Sequence, residues 1–385
     1  MNKTVKVLLC TGEMNAGGAE TLIMELLRQQ TGAVEYTMLI HYAGEKKQGV
    51  FDDEIHALGV QMLYIPSVGS AGQKEYTRLL SDINKQYGPF DVIHSHLNGI
   101  GGAIMKAAKE AGIKSRIVHC HADITFKGNA VNRAKNEALL QLMRKYIDIY
   151  ANHYWACSPA AAKRLFYQKR LSKAVIIPNV IDVEKYLGTP ESATKAKQKF
   201  SLENKNIIGA VGRIAPIKNY EWMIRLLKQL KDSGKEYTFV CFGRVVDEAY
   251  YNSLLALAKE MQVEKQVKFL GNSTAVAEDI HCFDIAVMPS HSEGFGMAAI
   301  EAQAAGIPTI VSTGVPQIVD VKAGLVQFAD VADMTAWVNA VEAAQHCPPV
   351  SNQTIVECFD KSGFNSKTMA KQIEQKYIAM AKEDA

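Results

Sequence analysis

A chain of 385 residues that is 48% apolar has material for more than one core, and its length fits two domains. A net charge of +3 is too small to argue for nucleic acid from the total. Seven scattered cysteines, odd in number and without a C-x-x-C pair, exclude a disulfide framework and fit reduced thiols in a cytosolic protein. Residues 1–10 carry too short an apolar run for a signal peptide, and no uninterrupted apolar stretch is long enough to span a bilayer. The expectation is a soluble protein, at most attached to a membrane surface.

In chain order, residues 5–10 are predicted as the first strand. A turn holding Gly17 and Gly18 follows and opens a helix over 21–29, so its backbone can approach a phosphate. Residues 36–42 and 61–65 read as strands between helical stretches, and 91–96 end another strand with His94 and His96. Asn98-Gly99-Ile100-Gly101-Gly102 invites a dinucleotide reading, but Ile104 stands where the third glycine belongs, which excludes NAD. Residues 116–123 form the next strand and its exit, with His119, Cys120 and His121. Two His-x-His pairs beside a cysteine raise zinc. In an extended strand, however, Cys120 points away from both flanking histidines, and no metal is expected. A histidine at the end of a parallel strand lies at the carboxyl edge, where ligands bind. Between 114 and 173 twelve cations face only Asp123, Glu137 and Asp148, and Met143, Tyr146, Ile147, Tyr150 and Tyr154 recur at helical spacing. Two readings stay open: a basic amphipathic helix on anionic lipid, or a solvated face whose Tyr and Met stripe packs in the core.

Residues 188–205, polar and containing Gly, Pro and Lys, read as a linker or hinge approach. A strand from 207 ends at Gly212, and Arg213 and Lys218 bracket a turn before a helix over 222–230. Arg213 can fork onto two phosphate oxygens, and Lys218 adds a point charge. Strands over 237–242, before Gly243, and from 267 towards Gly271 continue the rhythm. Residues 283–288 are a buried strand, followed by Gly294 and Gly296, a helix over 297–305, a stop at Gly306 and Pro308, and a strand over 307–311. Loop N–H groups and the positive end of that helix converge on an anion site. Glu293 sits in the loop and Glu301 about one turn into the helix, where hydroxyl groups are natural partners. Phosphate plus hydroxyls describes a nucleotide sugar. Residues 330–342 and 366–380 are helical in pattern.

The run P-S-x-x-E-G-F-G-x-x-x-x-E-A-x-A-x-G-x-P over 289–308 resembles the signature of retaining, GT-B-fold glycosyltransferases of family four. The G-R-x-x-x-x-K at 212–218 is similar to that family's basic pair, and Ile177-Pro178-Asn179-Val180-Ile181-Asp182 to its domain junction, with Val180 replacing the usual glycine. The likeness covers essentially the full length. It points to the exopolysaccharide-biosynthesis type through Ala156-Cys157-Ser158-x-x-Ala161 and the basic region before it.

The resemblance implies an α/β protein of two doubly wound Rossmann-like domains facing across a cleft. Residues 1–185 would be the acceptor-side domain, with helix 366–385 returning to it, and 186–365 the nucleotide-sugar-binding domain. By the same resemblance Glu293 orients the donor sugar, Glu301 binds the ribose hydroxyls, and Arg213 and Lys218 bind the diphosphate. His121 contacts the transferred sugar, with His119 the weaker candidate. Gly17, Gly18, Gly212, Gly271, Gly294, Phe295, Gly296 and Met297 would complete the donor site. Arg244 stands where the family has an acidic residue, which leaves the local contacts open.

A glycosidase pair would need its carboxyl groups roughly 5–9.5 Å apart. Eight helical residues rise about 12 Å, so the spacing of Glu293 and Glu301 does not favour hydrolysis. No D-x-D occurs, so neither a divalent metal nor another cofactor is expected. The expected reaction is retaining transfer of a sugar from a nucleotide-diphosphate sugar, UDP ahead of GDP and ADP. The acceptor would be a saccharide or lipid-linked saccharide in cell-surface or exopolysaccharide biosynthesis. The expected setting is the cytoplasm or the inner face of the membrane. A GT-B-type nucleotide-sugar epimerase and a non-catalytic nucleotide-sugar-binding protein are the alternatives.

Overall fold

The computed structural model describes residues 4–15, 17–121, 124, 126 and 129–383. Asp123 and Lys127 of the basic region lie outside them. The chain divides into two compact units, Met1–Ile181 with Ser366–Ala385, and Asp182–Asn365. The division falls at 181/182, where a break at 185/186 was expected.

The first unit holds β1 (Val5–Thr11), β2 (Val34–Tyr42), β3 (Gln61–Pro66), β4 (Val92–Ser95), β5 (Ser115–Cys120), β6 (His153–Ala156) and β7 (Ala174–Ile176). They pair in the order β3-β2-β1-β4-β5-β6-β7, all parallel. Because successive side chains alternate faces, Val7 and Leu9 enter one core and Leu8 and Cys10 the other. Both faces are therefore covered, which is why these strands read as continuous apolar runs rather than as alternation. The helix Ser366–Glu383 packs Met369, Ala370, Ile373 and Tyr377 into the first of those cores. Its buried Glu374 accepts hydrogen bonds from the hydroxyls of Thr31 and Tyr36, which fixes it to β2 and the turn before it.

The second unit holds β8 (Ile207–Val211), β9 (Thr238–Phe242), β10 (Val267–Phe269), β11 (Ile285–Met288), β12 (Thr309–Ser312) and β13 (Val326–Ala329), ordered β10-β9-β8-β11-β12-β13 and again parallel. Phe239 and Cys241 face one core, Val240 and Phe242 the other. In each sheet the strand order reverses once, between β1 and β4 and between β8 and β11. Loops leaving the carboxyl ends on either side of such a reversal diverge and open a crevice, which is where ligands bind in this architecture.

Two expectations change. Residues 188–205 are not a bare linker. Thr189 and Ser192 form a capping box on the helix Pro190–Lys199, with Pro at its start. Only Ala196 of that helix is buried, so its sequence carries almost no apolar period. Tyr154 does not continue the helical stripe either, because the helix Ala130–Tyr150 ends and Tyr154 enters β6. The remaining stripe packs inward: a Cβ at Gly102 would lie 2.5 Å from the Met143 carbonyl oxygen and 3.1 Å from Tyr146 Cβ. Gly102 is thus a spacer for that helix, while a Cβ at Gly101 would meet Ser95 and Val118 of the sheet.

Buried His41 bridges the Thr11 carbonyl oxygen at 2.9 Å and the Tyr76 hydroxyl at 2.6 Å, and burial pulls its imidazole down to about 4. A base depressed on folding binds its proton in the unfolded chain first. Its contribution to stability is therefore intact above about pH 6.5 and is lost as the pH falls towards 4. Chemical unfolding at pH 7 and pH 5 should show His41→Gln losing about 2 kcal/mol less over that interval than the parent chain.

Candidate functional site

In the second unit, the loop after β8 and the loop after β11 meet at the reversal of strand order. Asn219, left-handed at φ 55°, sends its side-chain amide to the Pro289 carbonyl oxygen at 3.0 Å, and the His291 N–H reaches the Ile217 carbonyl oxygen at 2.9 Å. These bonds hold Lys218 against Glu293: the ammonium donates to Oε1 at 2.6 Å, and the Ser290 hydroxyl donates to the same oxygen at 2.5 Å. Glu293 Oε2 has no partner among the described residues. Lys218 is therefore already neutralised by a carboxylate. Arg213 is exposed and has no carboxylate partner among the described residues, so it is the cation left open to an anion.

Gly296 caps the helix Met297–Ala304 at φ +96°, a left-handed conformation that favours glycine. The N–H groups of Gly294, Phe295 and Gly296 have no acceptor among the described residues. A Cβ at Gly294 would meet nothing within 4 Å, so the space above the loop is open. Phe295 is buried and packs edge-on against Phe364, 5.6 Å between centroids, which anchors the loop from below. Together the free N–H groups and the helix start form an anion cradle. Glu301, one turn further on, has its carboxyl pushed up by burial, partly offset by a hydrogen bond with the Tyr186 side chain. Gly212 and Gly271 sit at the neighbouring carboxyl edges. The Gly243 N–H donates to the Gly271 carbonyl oxygen at 2.7 Å, and the Gly212 carbonyl oxygen accepts from the Tyr220 hydroxyl at 3.2 Å.

In the first unit, the loop after β1 carries Gly17 and Gly18, the latter starting the helix Gly18–Arg28. A Cβ on Gly18 would lie 3.4 Å from the Asn179 side-chain nitrogen, so this helix start lies against the Pro178-Asn179 turn of the same unit. His121 leaves β5 at the carboxyl edge. Its N–H donates to Asn98 Oδ1 at 2.7 Å, and its ring meets His96, Nε2 to Nδ1, at 2.8 Å. Burial holds the His121 imidazole down at about 3, so it is neutral at physiological pH. His119 is fully buried, stacked on His94 and tilted by 34° against the His121 ring.

Glu293, Lys218, Gly296 and Met297 converge in the structure as one constellation, and His121 lies in the other unit. Sequence reasoning missed Ser290, Asn219, Tyr186 and Tyr220. Only Ser290 carried a signal, as the serine of the P-S that opens the motif. The other three act through contacts that no spacing encodes.

Two family profiles match the chain: "Glycosyltransferase Family 4" over residues 16–185 and "Glycosyl transferases group 1" over 192–356. The chain belongs to the family-four glycosyltransferases, with the two Rossmann-like domains of the GT-B fold, and is a transferase enzyme. It is 29% identical to the putative glycosyltransferase EpsF of Bacillus subtilis, over 95% of each chain. It is 25% identical to the UDP-Gal:alpha-D-GlcNAc-diphosphoundecaprenol alpha-1,3-galactosyltransferase of Escherichia coli, over 76% of each. Among solved structures, HepE of Anabaena in complex with UDP superimposes with a TM-score of 0.71 over 98% of both chains at 16% identity.

At Gly296 an alanine Cβ would sit 3.0 Å from Val315 and Val319 on a backbone that L-residues rarely adopt. Gly296→Ala should lower unfolding stability by about 1–3 kcal/mol, and Gly294→Ala by less than about 0.5, in urea titrations of the two variants.

Proposed function

We propose that this enzyme transfers a hexose from a UDP-sugar, with retention at the anomeric carbon, to a lipid-linked saccharide during extracellular polysaccharide assembly on the cytoplasmic side of the membrane. The observation that carries this reading is the Lys218–Glu293 pair, fixed beside an anion cradle at the reversal of strand order. Breaking the bond between sugar and phosphate leaves negative charge on the departing diphosphate. Arg213, Lys218 and the N–H groups from Gly294 to Met297 stabilise that charge as it develops, and Gly212 and Gly271 let the backbone approach the nucleotide. With Oε1 held by Lys218 and Ser290, Glu293 keeps Oε2 for a hydroxyl of the donor sugar. Glu301 takes the ribose hydroxyls. Its environment disfavours the charged form, and paired hydroxyl donors compensate for that. His121 contacts the transferred sugar as a neutral imidazole, Gly17 and Gly18 belong to the acceptor-side loop, and diphosphate departure needs no metal.

Support for UDP comes from the UDP bound by HepE and from the UDP-Gal donor in the name of the Escherichia coli relative. That name also supports a diphosphoundecaprenol-linked acceptor. The capsular polysaccharide biosynthesis glycosyltransferase CapH of Staphylococcus aureus, 24% identical over 77% of this chain, supports the assembly role. A thermal-shift screen over UDP-, GDP- and ADP-sugars identifies the donor. With that donor, Lys218→Ala and Glu293→Ala are each expected to lower kcat at least about 100-fold in a UDP-release assay. Turnover near the parental rate in both variants would overturn the assignment.

The same reading gives the basic region a surface to meet. Arg164 is paired with Glu137, and Lys169 and Arg170 with Asp148, so much of the local positive charge is spent internally. On the helix Ala130–Tyr150, however, Val131, Leu139, Leu142 and Ile149 are exposed together with Lys135 and Lys145. No helix among the described residues is long and apolar enough to cross a membrane. An apolar and cationic helix face of this kind binds anionic lipid interfacially, at about 1 kcal/mol per near-surface cation. In liposome flotation the protein should rise with phosphatidylglycerol vesicles and not with phosphatidylcholine alone, and Leu139→Glu with Leu142→Glu should abolish the rise. Flotation indifferent to anionic lipid removes this surface.

A further inference from the structure

Four histidines gather on one face of the first sheet, at the carboxyl ends of two neighbouring strands. His94 lies on β4 and His96 just past it; His119 lies on β5 and His121 just past it. The register sets Ser95 opposite Val118, which brings His96 beside His119. Rings of His94 and His119 stack at 5.3 Å with 8° between planes, and those of His94 and His96 lie 4.1 Å apart. His94, His96 and His119 are 1%, 4% and 0% exposed.

Each of these three offers a ring nitrogen within 4.8 Å of the other two. His94 Nε2 and His119 Nδ1 are 3.2 Å apart. Two imidazole nitrogens on one tetrahedral zinc ion, each about 2.0–2.1 Å from it, lie roughly 3.3 Å apart, so this pair already has a ligand–ligand spacing. The outward nitrogens are held by neighbours: His94 Nδ1 by the Tyr377 hydroxyl at 2.6 Å and His96 Nδ1 by His121 Nε2 at 2.8 Å. Metal-binding histidines are oriented by such outer hydrogen bonds. The inward-available His96 Nε2 is buried with no hydrogen-bond partner among the described residues. A buried ring nitrogen without a partner calls for an occupant.

We infer that His94, His96 and His119 bind a divalent first-row transition metal, zinc first, through one ring nitrogen each. His94 supplies Nε2 and His96 supplies Nε2, since their other nitrogens are engaged. The donor set defines the class of ion. Three imidazoles without a carboxylate suit zinc, cobalt, nickel or copper, and not magnesium or calcium, which require oxygen. Cys120 is not a ligand, because its side chain is buried in the core on the opposite face. Three protein ligands leave a fourth, tetrahedral position for water or an anion. A metal on His96 Nε2 fixes the proton on Nδ1, which then donates to His121 Nε2, so the ion sets the tautomer of the His121 ring. The site neutralises no diphosphate, and transfer as proposed above runs without it.

The test uses the full chain, stripped with dipicolinate and desalted, with cobalt(II) and zinc(II) as probes. Expected results are one equivalent of cobalt giving visible d–d bands of a low-coordinate nitrogen site, their loss on adding one equivalent of zinc, and an unfolding temperature raised by at least about 5 °C in excess zinc. X-ray absorption of the zinc-loaded chain should show imidazole scattering and no sulfur. His94→Gln and His119→Gln, checked for folding by circular dichroism, should each bind zinc at least tenfold more weakly. A parent protein that stays colourless with cobalt and unmoved by zinc overturns the inference, whatever the variants do. So does a zinc ion ligated by sulfur, or folded variants that bind as the parent does.

Discussion

The pairing of Lys218 with Glu293 is the constraint on which the candidate site of the second unit depends. It ties the loop after β8 to the loop after β11 where the strand order reverses. Both faces of that sheet are buried under apolar side chains, so polar chemistry has one outlet, the carboxyl ends of the strands. Two loops diverging from a reversal would otherwise be free to separate. The ion pair and the bonds from Asn219 to Pro289 and from His291 to Ile217 hold them together. A cation and a carboxylate are thereby kept in a partly dry site, where each neutralises the other until a ligand brings charge of its own.

The first sheet uses the same architecture with different contents. Its carboxyl edge carries neutral rings instead of an ion pair. Burial holds His94, His96, His119 and His121 in the uncharged form, and each lies against another ring. Tyr377, from the last helix of the chain, closes this stack by bonding His94. The C-terminal segment is thus a structural part of the unit that begins the chain, and Glu374 secures it through Thr31 and Tyr36.

Both parallel sheets were legible in the sequence, since apolar runs such as 5–10, 237–242 and 283–288 are what a strand buried on two faces must look like. Gly296 and the helix behind it were legible as well, because a left-handed cap leaves a composition signal. The helix Pro190–Lys199 was not, because a solvated helix with one buried residue has no period to read. Tyr154 was placed on the wrong element because a spacing of four residues fits the helical period, and only the chain's turn at Ala151 and Asn152 breaks it.

The sequence by itself determined the class of fold, the family and the glycine-capped loop before the helix Met297–Ala304, because these rest on local patterns: period, glycine placement, and charged residues a few positions apart. Tertiary structure alone decided that Lys218 is paired while Arg213 has no carboxylate partner among the described residues, that Ser290 and Lys218 share one oxygen of Glu293, and that His94 joins His96 and His119 in one cluster. Those facts depend on register between strands and on loops distant in sequence, and no local spacing carries that information.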